Sequence, residues 1–149
     1  MITNQNIIDE LSRLIAAKYP EYPVYMNGLK DDLQVPSFFI EYIMDTTENV
    51  NINIKNEKLY LNVTYLGNKD EQGMTDSTEK QEVLNNLKSI FRQGYIQVQD
   101  RAVSLTCKAK AIANNVGLEL EFNYFEQRND DSVNEELIQE ISINQDIRR

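Results

Sequence analysis

Two carboxylates lying two residues apart are the feature of this sequence that comes closest to catalytic chemistry. Glu119 and Glu121 fall on one face of a predicted strand. Such a pair performs acid–base work when its surroundings separate the two pKa values. Leu118 and Leu120 alternate with the two glutamates, so the carboxylates occupy the polar face of an amphipathic strand. We therefore interpret the pair as surface or interface side chains.

The rest of the sequence offers little support for an active site. It contains no histidine, and so lacks the commonest general base at neutral pH and the commonest metal ligand. Its one cysteine, Cys107, falls on the apolar face of a predicted strand and is interpreted as an inert buried thiol. We predict no catalytic, cofactor-binding or metal-binding residues, and a protein that is not an enzyme.

Two polar segments resemble binding loops only superficially. The segment from Gly67 to Gly73 lacks the Gly-Lys-Ser/Thr ending that holds phosphate in a P-loop. Residues 45–57 are rich in Asn but lack the spacing of a calcium-binding loop. We interpret residues 67–75 as a charged loop, and residues 45–57 as a long loop or a protruding hairpin arm.

The elements that position these segments follow from apolar periodicity. One helix is predicted from a cap at Thr3 or Asn4 to about Lys18, and a second from about Ser77 to Gln93, with Gly94 as its C′ residue. Strands are predicted at residues 24–26, 37–44, 58–66, 95–98, 101–113 and 116–124, with a turn at Asn114 and Asn115. This order predicts an α+β fold: a mostly antiparallel sheet, two amphipathic helices packed on it and a long C-terminal hairpin.

The strand at residues 37–44 carries large apolar side chains on both faces. Alternation directs Phe38, Ile40 and Tyr42 one way and Phe39 and Ile43 the other way, beside Glu41. Each predicted helix has a single apolar stripe, so the chain has few elements left to cover a second face of the sheet. We therefore expect this second face to contact another subunit.

Length and charge set the broad class of protein. The 149 residues fit one domain, which we place at residues 1–128, followed by an acidic C-terminal tail or arm at residues 129–149, extended or helical. In this arm a capping box begins at Ser132, and Leu137, Ile141 and Ile143 supply apolar side chains. The net charge of −9 disfavours non-specific nucleic-acid binding. No membrane segment is predicted, so we expect a cytoplasmic protein.

The order of these motifs resembles a known family. The opening helix is followed by Tyr22-Pro-Val-Tyr25, Gln34-Val-Pro-Ser-Phe-Phe-Ile40 and Tyr60-Leu-Asn-Val-Thr-Tyr-Leu66, then by the second helix and the closing hairpin. This sequence is similar to the tail terminators of bacteriophages and of phage-tail-like bacteriocins of Gram-positive bacteria. The resemblance covers nearly the whole chain and implies an α+β fold.

The resemblance also implies a function. It implies a ring, a hexamer, that caps the tail tube, stops tube polymerisation and joins the tube to a head connector or to a contractile sheath. DNA would pass through its acidic channel, and the ring would be assembled in the host cytoplasm. The expected subunit interface comprises Phe39, Glu41, Ile43, Tyr60 and Leu66, and the expected tube or partner contacts comprise Asn49, Asn51, Asn53, Lys69, Asp70 and Glu71.

Three other interpretations remain open from the sequence. Another head–tail connector or neck protein would share the size and the assembly logic of a terminator. An enzyme would have to work through carboxylates alone. A stand-alone regulatory binding module would remain a monomer.

Overall fold

Two helices and six strands make up the part of the chain that a computed structural model describes, residues 2–26, 33–112 and 115–127. In chain order they are α1 (Asn4–Lys18), β1 (Val24–Met26), β2 (Ser37–Asn49), β3 (Ile54–Leu66), α2 (Ser77–Ile90), β4 (Tyr95–Val98), β5 (Arg101–Ile112) and β6 (Asn115–Gln127). The predicted capping box at Ser132, the arm residues Leu137, Ile141 and Ile143, and most of the polar turn predicted between β1 and β2 at residues 27–34 lie outside the described residues.

Side-chain caps determine where the two helices begin. Thr3 caps α1 in a capping box, in which its hydroxyl accepts the Asn6 N–H at 3.1 Å and the Asn6 side chain accepts the Thr3 N–H at 3.0 Å. The Asp76 carboxylate accepts the Glu79 N–H at the start of α2.

The end of α2 differs from the prediction. The helix ends at Ile90 rather than Gln93, and Phe91 is its C-cap. The φ of Gly94 is +82°, but this glycine lies in the turn that leads into β4 rather than at C′. Its N–H donates to the carbonyl of Phe91, so the left-handed conformation closes the turn instead of the helix.

All six strands belong to one sheet, in the order β1-β2-β3-β6-β5-β4. Only β1 and β2 pair in parallel, and every other neighbouring pair is antiparallel. The predicted α+β class with a mostly antiparallel sheet is therefore confirmed. The long closing hairpin is also confirmed, with β6 lying between β5 and β3.

The hydrophobic core lies between the helices and one face of the sheet. Along β3, Leu59, Leu61 and Val63 are fully buried, whereas Tyr60 and Leu66 on the other face are only partly buried. We call this other face the open face of the sheet. The core side chains opposite the strands come from α1 and α2, and they include Ile7, Leu11, Ile15, Val83, Leu84 and Leu87.

The sheet curls around the start of α1. The Asn4 side chain donates to Asp45 on β2 at 3.2 Å, and the Ile2 N–H donates to Glu126 on β6 at 3.1 Å. The Asn6 side chain accepts a hydrogen bond from Gln99, directly after β4. Strands from both halves of the sheet therefore meet the first turn of one helix.

The β2–β3 hairpin is longer than the sequence predicted. β2 continues from Met44 to Asn49 and β3 begins at Ile54, so the alternative of a hairpin arm at residues 45–57 is correct and that of a long loop is wrong. The register runs from Ser37–Leu66 to Asn49–Lys55. Cross-strand contacts such as Thr47 with Glu57 replace the apolar alternation that normally indicates a strand.

Tyr124 makes the stability of this fold sensitive to alkaline pH. Its side chain is buried, and burial, together with the nearby carboxylates of Glu57 and Glu126, raises its pKa to about 12. An unfolded tyrosine has a pKa of about 10. The unfolded chain therefore releases its proton first, and the free energy of unfolding falls as pH rises from about 10 to about 12.

We expect Tyr124→Phe to remove part of this alkaline loss, about 1 kcal/mol, because solvent screening reduces the full linkage value. The measurement is the midpoint of urea unfolding of wild type and variant at neutral and alkaline pH. Tyr95→Phe, at an exposed tyrosine, is the matched control. Identical alkaline losses in all three proteins would contradict this role of Tyr124.

Candidate assembly surface

The two glutamates that suggested acid–base chemistry are held in a polar network on the open face. The Tyr60 hydroxyl donates to Glu121 at 2.8 Å, and Thr106 donates to its other oxygen at 3.1 Å. The hydrogen bond from Tyr60 lowers the pKa of Glu121, which favours a hydrogen-bonded carboxylate over a proton donor. Glu119 pairs with Lys110 at 3.3 Å. Both carboxylates link neighbouring strands.

The described residues include no other group that is arranged for catalysis or for metal binding. Cys107 is half-buried, and burial raises the pKa of its thiol, which keeps it protonated at neutral pH. Within residues 2–26, 33–112 and 115–127, no three His, Cys, Asp or Glu side chains are grouped to hold a metal ion. The helices of these residues include none long and apolar enough to cross a membrane.

The outer half of the β2–β3 hairpin forms an exposed arm, comprising residues 41–58. Every residue from Glu41 to Asn53 is exposed. A four-residue turn closes the arm: the N–H groups of Val50 and Asn51 donate to the Ile54 carbonyl. The Asn51 side chain accepts the N–H groups of Asn53 and Ile54 at 2.8 and 2.9 Å. The predicted contact residue Asn51 therefore holds the turn, and Asn49 is the last residue of β2.

Exposed apolar side chains cluster on the arm and on the strand beside it, a feature that the sequence interpretation missed apart from Ile43. Fractional exposure is 46% for Ile43, 47% for Met44, 54% for Val50, 50% for Ile52 and 53% for Phe125. Phe125 is adjacent because it pairs with Asn56 of the arm. Isolated exposed apolar residues are ordinary, but five along one arm and the strand beside it indicate a contact surface. The only sequence signal for the apolar arm tip was the presence of Val50 and Ile52 within an Asn-rich stretch.

Four of the five predicted interface residues share the open face. Phe39 pairs with Thr64, Glu41 with Asn62, and Leu66 with Ser37, so together with Tyr60 they follow β2 and β3 along one strip. The fifth is displaced, because a bulge sets both Ile43 and Met44 opposite Tyr60. The bulge interrupts the alternation beyond Ile43, where Met44 also takes a position opposite Tyr60. The role of the five predicted residues in subunit contact stays a prediction.

The second predicted contact loop lies at the opposite end of the sheet from the arm tip. Lys69, Asp70 and Glu71 are exposed, and they follow the last residue of β3. Asp70 accepts the N–H groups of Gln72 and Met74, while Lys69 donates to Asn115. β3 has thirteen residues, so the two candidate contact regions are separated by about 40 Å. A partner that meets the strands end-on at one of these regions does not reach the other.

A comparison with protein families matches this architecture to a known one. The family model described as phage tail terminator protein matches residues 6–134, which include every strand and nearly all of α1. The chain belongs to this family. A comparison with curated proteins finds no match. As a tail terminator family member, the chain is a structural component of a phage tail and of the virion, and it associates with other tail components.

Proposed function

We propose that this tail terminator family member forms a ring that caps the tail tube and stops its polymerisation. The observation that carries the proposal is the exposed arm with apolar side chains at its tip. Val50 and Ile52 are each about half exposed on a turn that is held rigid by backbone hydrogen bonds. A rigid apolar projection on an acidic, structural protein is suited to docking on another protein assembly.

The ring is proposed to be a hexamer built from head-to-tail contacts. A head-to-tail interface uses two different surfaces of each copy, and it closes when its rotation divides a full turn. The strip of Phe39, Glu41, Tyr60 and Leu66, with Ile43 in the adjacent bulge, is proposed as one of these surfaces. It combines apolar side chains with polar groups, which is the composition of interfaces between separately folded subunits.

The two ends of the sheet are proposed to serve different partners. The arm tip, with Val50 and Ile52, contacts the last ring of the tail tube. The loop at residues 67–75, with Lys69, Asp70 and Glu71, faces the head connector or, in a contractile particle, the end of the sheath. The separation of the two regions along β3 supports this division. Asn49 and Asn53, which flank the arm tip, are proposed to contact the tube beside it.

DNA is proposed to meet this ring only as passing cargo. The chain carries a net charge of −9, so a channel lined by several copies repels phosphate groups and lets the duplex slide. The ring is proposed to assemble in the host cytoplasm, at the head end of a phage tail or of a phage-tail-like bacteriocin. Neither a cofactor nor a metal has a part in this proposal.

The decisive experiment measures tail length in particles made with and without this chain. We expect overlong tails without a defined length when the chain is absent, because tube polymerisation is then not stopped. Resupplying the chain should restore the normal length distribution. Tails of normal length that lack heads would instead identify a head–tail connector or neck protein. A normal yield of complete particles would contradict a structural role in the tail end.

A further inference from the structure

Both edges of the sheet are covered over only half of their length in the described residues. At one edge, β1 pairs with Phe38, Phe39 and Ile40, and no described strand pairs with β2 from Tyr42 to Asn49. At the other edge, β4 pairs with the first four residues of β5, and Gly94 accepts the Leu105 N–H. No described strand covers β5 from Thr106 to Ile112. Among the described residues, each edge therefore has an unpaired backbone segment of seven or eight residues.

The two open segments have complementary positions. The free half of β2 lies toward the arm tip, whereas the free half of β5 lies toward the opposite end of the sheet, where Ile112 pairs with Asn115. β2 and β5 also run in opposite directions within the sheet. Two copies can therefore pair these edges antiparallel when one is shifted along the strands by about half of their length, and such a stagger closes into a ring when the strands are inclined to the ring axis. The short strands β1 and β4 then act as stops at the ends of the joint.

The two edges carry opposite charges. The outer half of β2 has three acidic residues, Glu41, Asp45 and Glu48, and no basic residue between them. The free half of β5 has two basic residues, Lys108 and Lys110, and no acidic residue. Lysines on a sheet edge prevent unwanted strand pairing. Here the two signs disfavour pairing of like edges, β2 with β2 or β5 with β5, and favour pairing of β2 with β5.

We infer that the free edge of β5 in one copy pairs with the free edge of β2 in a second copy of this chain. This strand pairing is head-to-tail, as a closed ring requires, so the inference rests on the ring proposed above and supplies its mode of contact. The strip of Phe39, Glu41 and Tyr60 lies next to the joint, where its side chains flank the added strand.

Charge reversal tests the inference. We expect Glu41→Lys with Glu48→Lys, and separately Lys108→Glu with Lys110→Glu, to weaken self-association of the purified full-length chain by roughly tenfold or more. A chain that carries all four substitutions should recover it. An equimolar mixture of the two double variants should also recover it, because each reversed edge then meets its complement. The measurement is sedimentation of each protein over a wide range of concentrations.

Proline provides a second test that does not depend on charge. The Leu105 N–H points toward the β4 side, so alternate residues such as Ala109 direct their N–H toward the free edge. Ala109→Pro removes that outward donor while leaving the β5–β6 hydrogen bonds in place. We expect it to weaken association, and the control Ala109→Thr, which keeps the N–H, to leave association unchanged. Lys108→Glu with Lys110→Glu removes the Lys110–Glu119 ion pair and could unfold the chain. The proline test still distinguishes edge pairing from its absence in that case.

The outcomes separate strand pairing from the terminator function. Recovery of association in the four-substitution chain and its loss in Ala109→Pro support edge pairing. Wild-type association in both double variants, or a wild-type chain that remains monomeric at every concentration, overturns it. Neither of those results bears on the capping function, which the tail-length experiment tests separately. If tails are normal in the absence of the chain, the capping function is overturned. Edge pairing is still supported if the four-substitution chain recovers self-association.

Discussion

A chain with Gly117→Ala should melt about 6–12 °C below wild type, the largest loss of stability that we expect from adding a single methyl group. A Cβ atom at Gly117 would lie 2.2 Å from the Val63 carbonyl oxygen and 3.1 Å from the Thr64 Cα. Both obstacles are backbone atoms of β3, so no change of rotamer relieves the clash. Overpacking of this kind costs about 3 kcal/mol. For a domain of this size each kcal/mol lowers the melting temperature by roughly 2–4 °C.

The location of Gly117 at the centre of the sheet increases the loss of stability that this clash causes. Gly117 pairs with Thr64 on one side and Lys110 on the other, so it lies within the two strand pairs at the centre of the sheet. The β3–β6 ladder continues in register from Ile54–Gln127 to Tyr65–Val116. Moving β6 away from β3 at one position would therefore strain hydrogen bonds along both strands.

Gly73→Ala is the matched control. No atom lies within 4 Å of the position of its added Cβ, but its φ is +78°. Its expected cost is therefore that of a left-handed alanine alone, about 1 kcal/mol. Calorimetry of the three proteins separates the two effects. Equal melting temperatures for Gly117→Ala and Gly73→Ala would show that the close approach of β3 and β6 at Thr64 is wrong.

The helices and most of the strands were predictable because their signals are local. Thr3 and the apolar stripe from Ile7 to Ile15 are sufficient to place α1. Apolar alternation from Leu118 to Tyr124 indicates β6 in the same way. By contrast, the need for glycine at position 117 comes from the neighbouring strand β3, which is more than fifty residues earlier. No local sequence pattern indicates that β3 lies so close to position 117.

The arm was only half predictable for a related reason. A strand is recognised by a buried face, and the arm has none, since every residue from Glu41 to Asn53 is exposed. Its strand pairing is continuous with the buried half of the hairpin, which carries the register outward past a bulge at Ile43. The bulge itself leaves no sequence signal. It sets Met44 as well as Ile43 opposite Tyr60, where simple alternation would place Ile43 alone.

The candidate contact regions show a third limit of sequence reasoning. Residues 45–57 and residues 67–75 are similar in polarity, which suggested a common partner. The strand that separates them, β3, is almost the full length of the sheet and places them at its two ends. Distance along the chain, about ten residues, gives no indication of the distance in space when those residues form one extended strand.

Replacing the apolar tip of the arm should abolish control of tail length without unfolding the protein. In Val50→Asp with Ile52→Asp, both side chains are about half exposed, so the expected change in the free energy of unfolding is within about 0.5 kcal/mol for each. The proposed docking on the tube would bury these side chains, and in the variant it would bury the introduced charges. The lost apolar burial and the added desolvation weaken docking by about 3 kcal/mol, or roughly 100-fold. Electron microscopy should show overlong tails, as in the absence of the chain.

Met74→Asp distinguishes a specific arm contact from a general effect of added charge. Met74 is similarly exposed, but it lies in the loop at the opposite end of β3. We expect its variant to make tails of normal length, because that end is proposed to face away from the tube. The joining of heads or of the sheath should be impaired instead. Overlong tails from Met74→Asp, with normal tails from the arm variant, would reverse the orientation of the ring. Normal tails in both variants would show that capping does not depend on apolar contacts at either end, because both sets of substitutions are at exposed side chains and are expected to change only the surface presented to a neighbour.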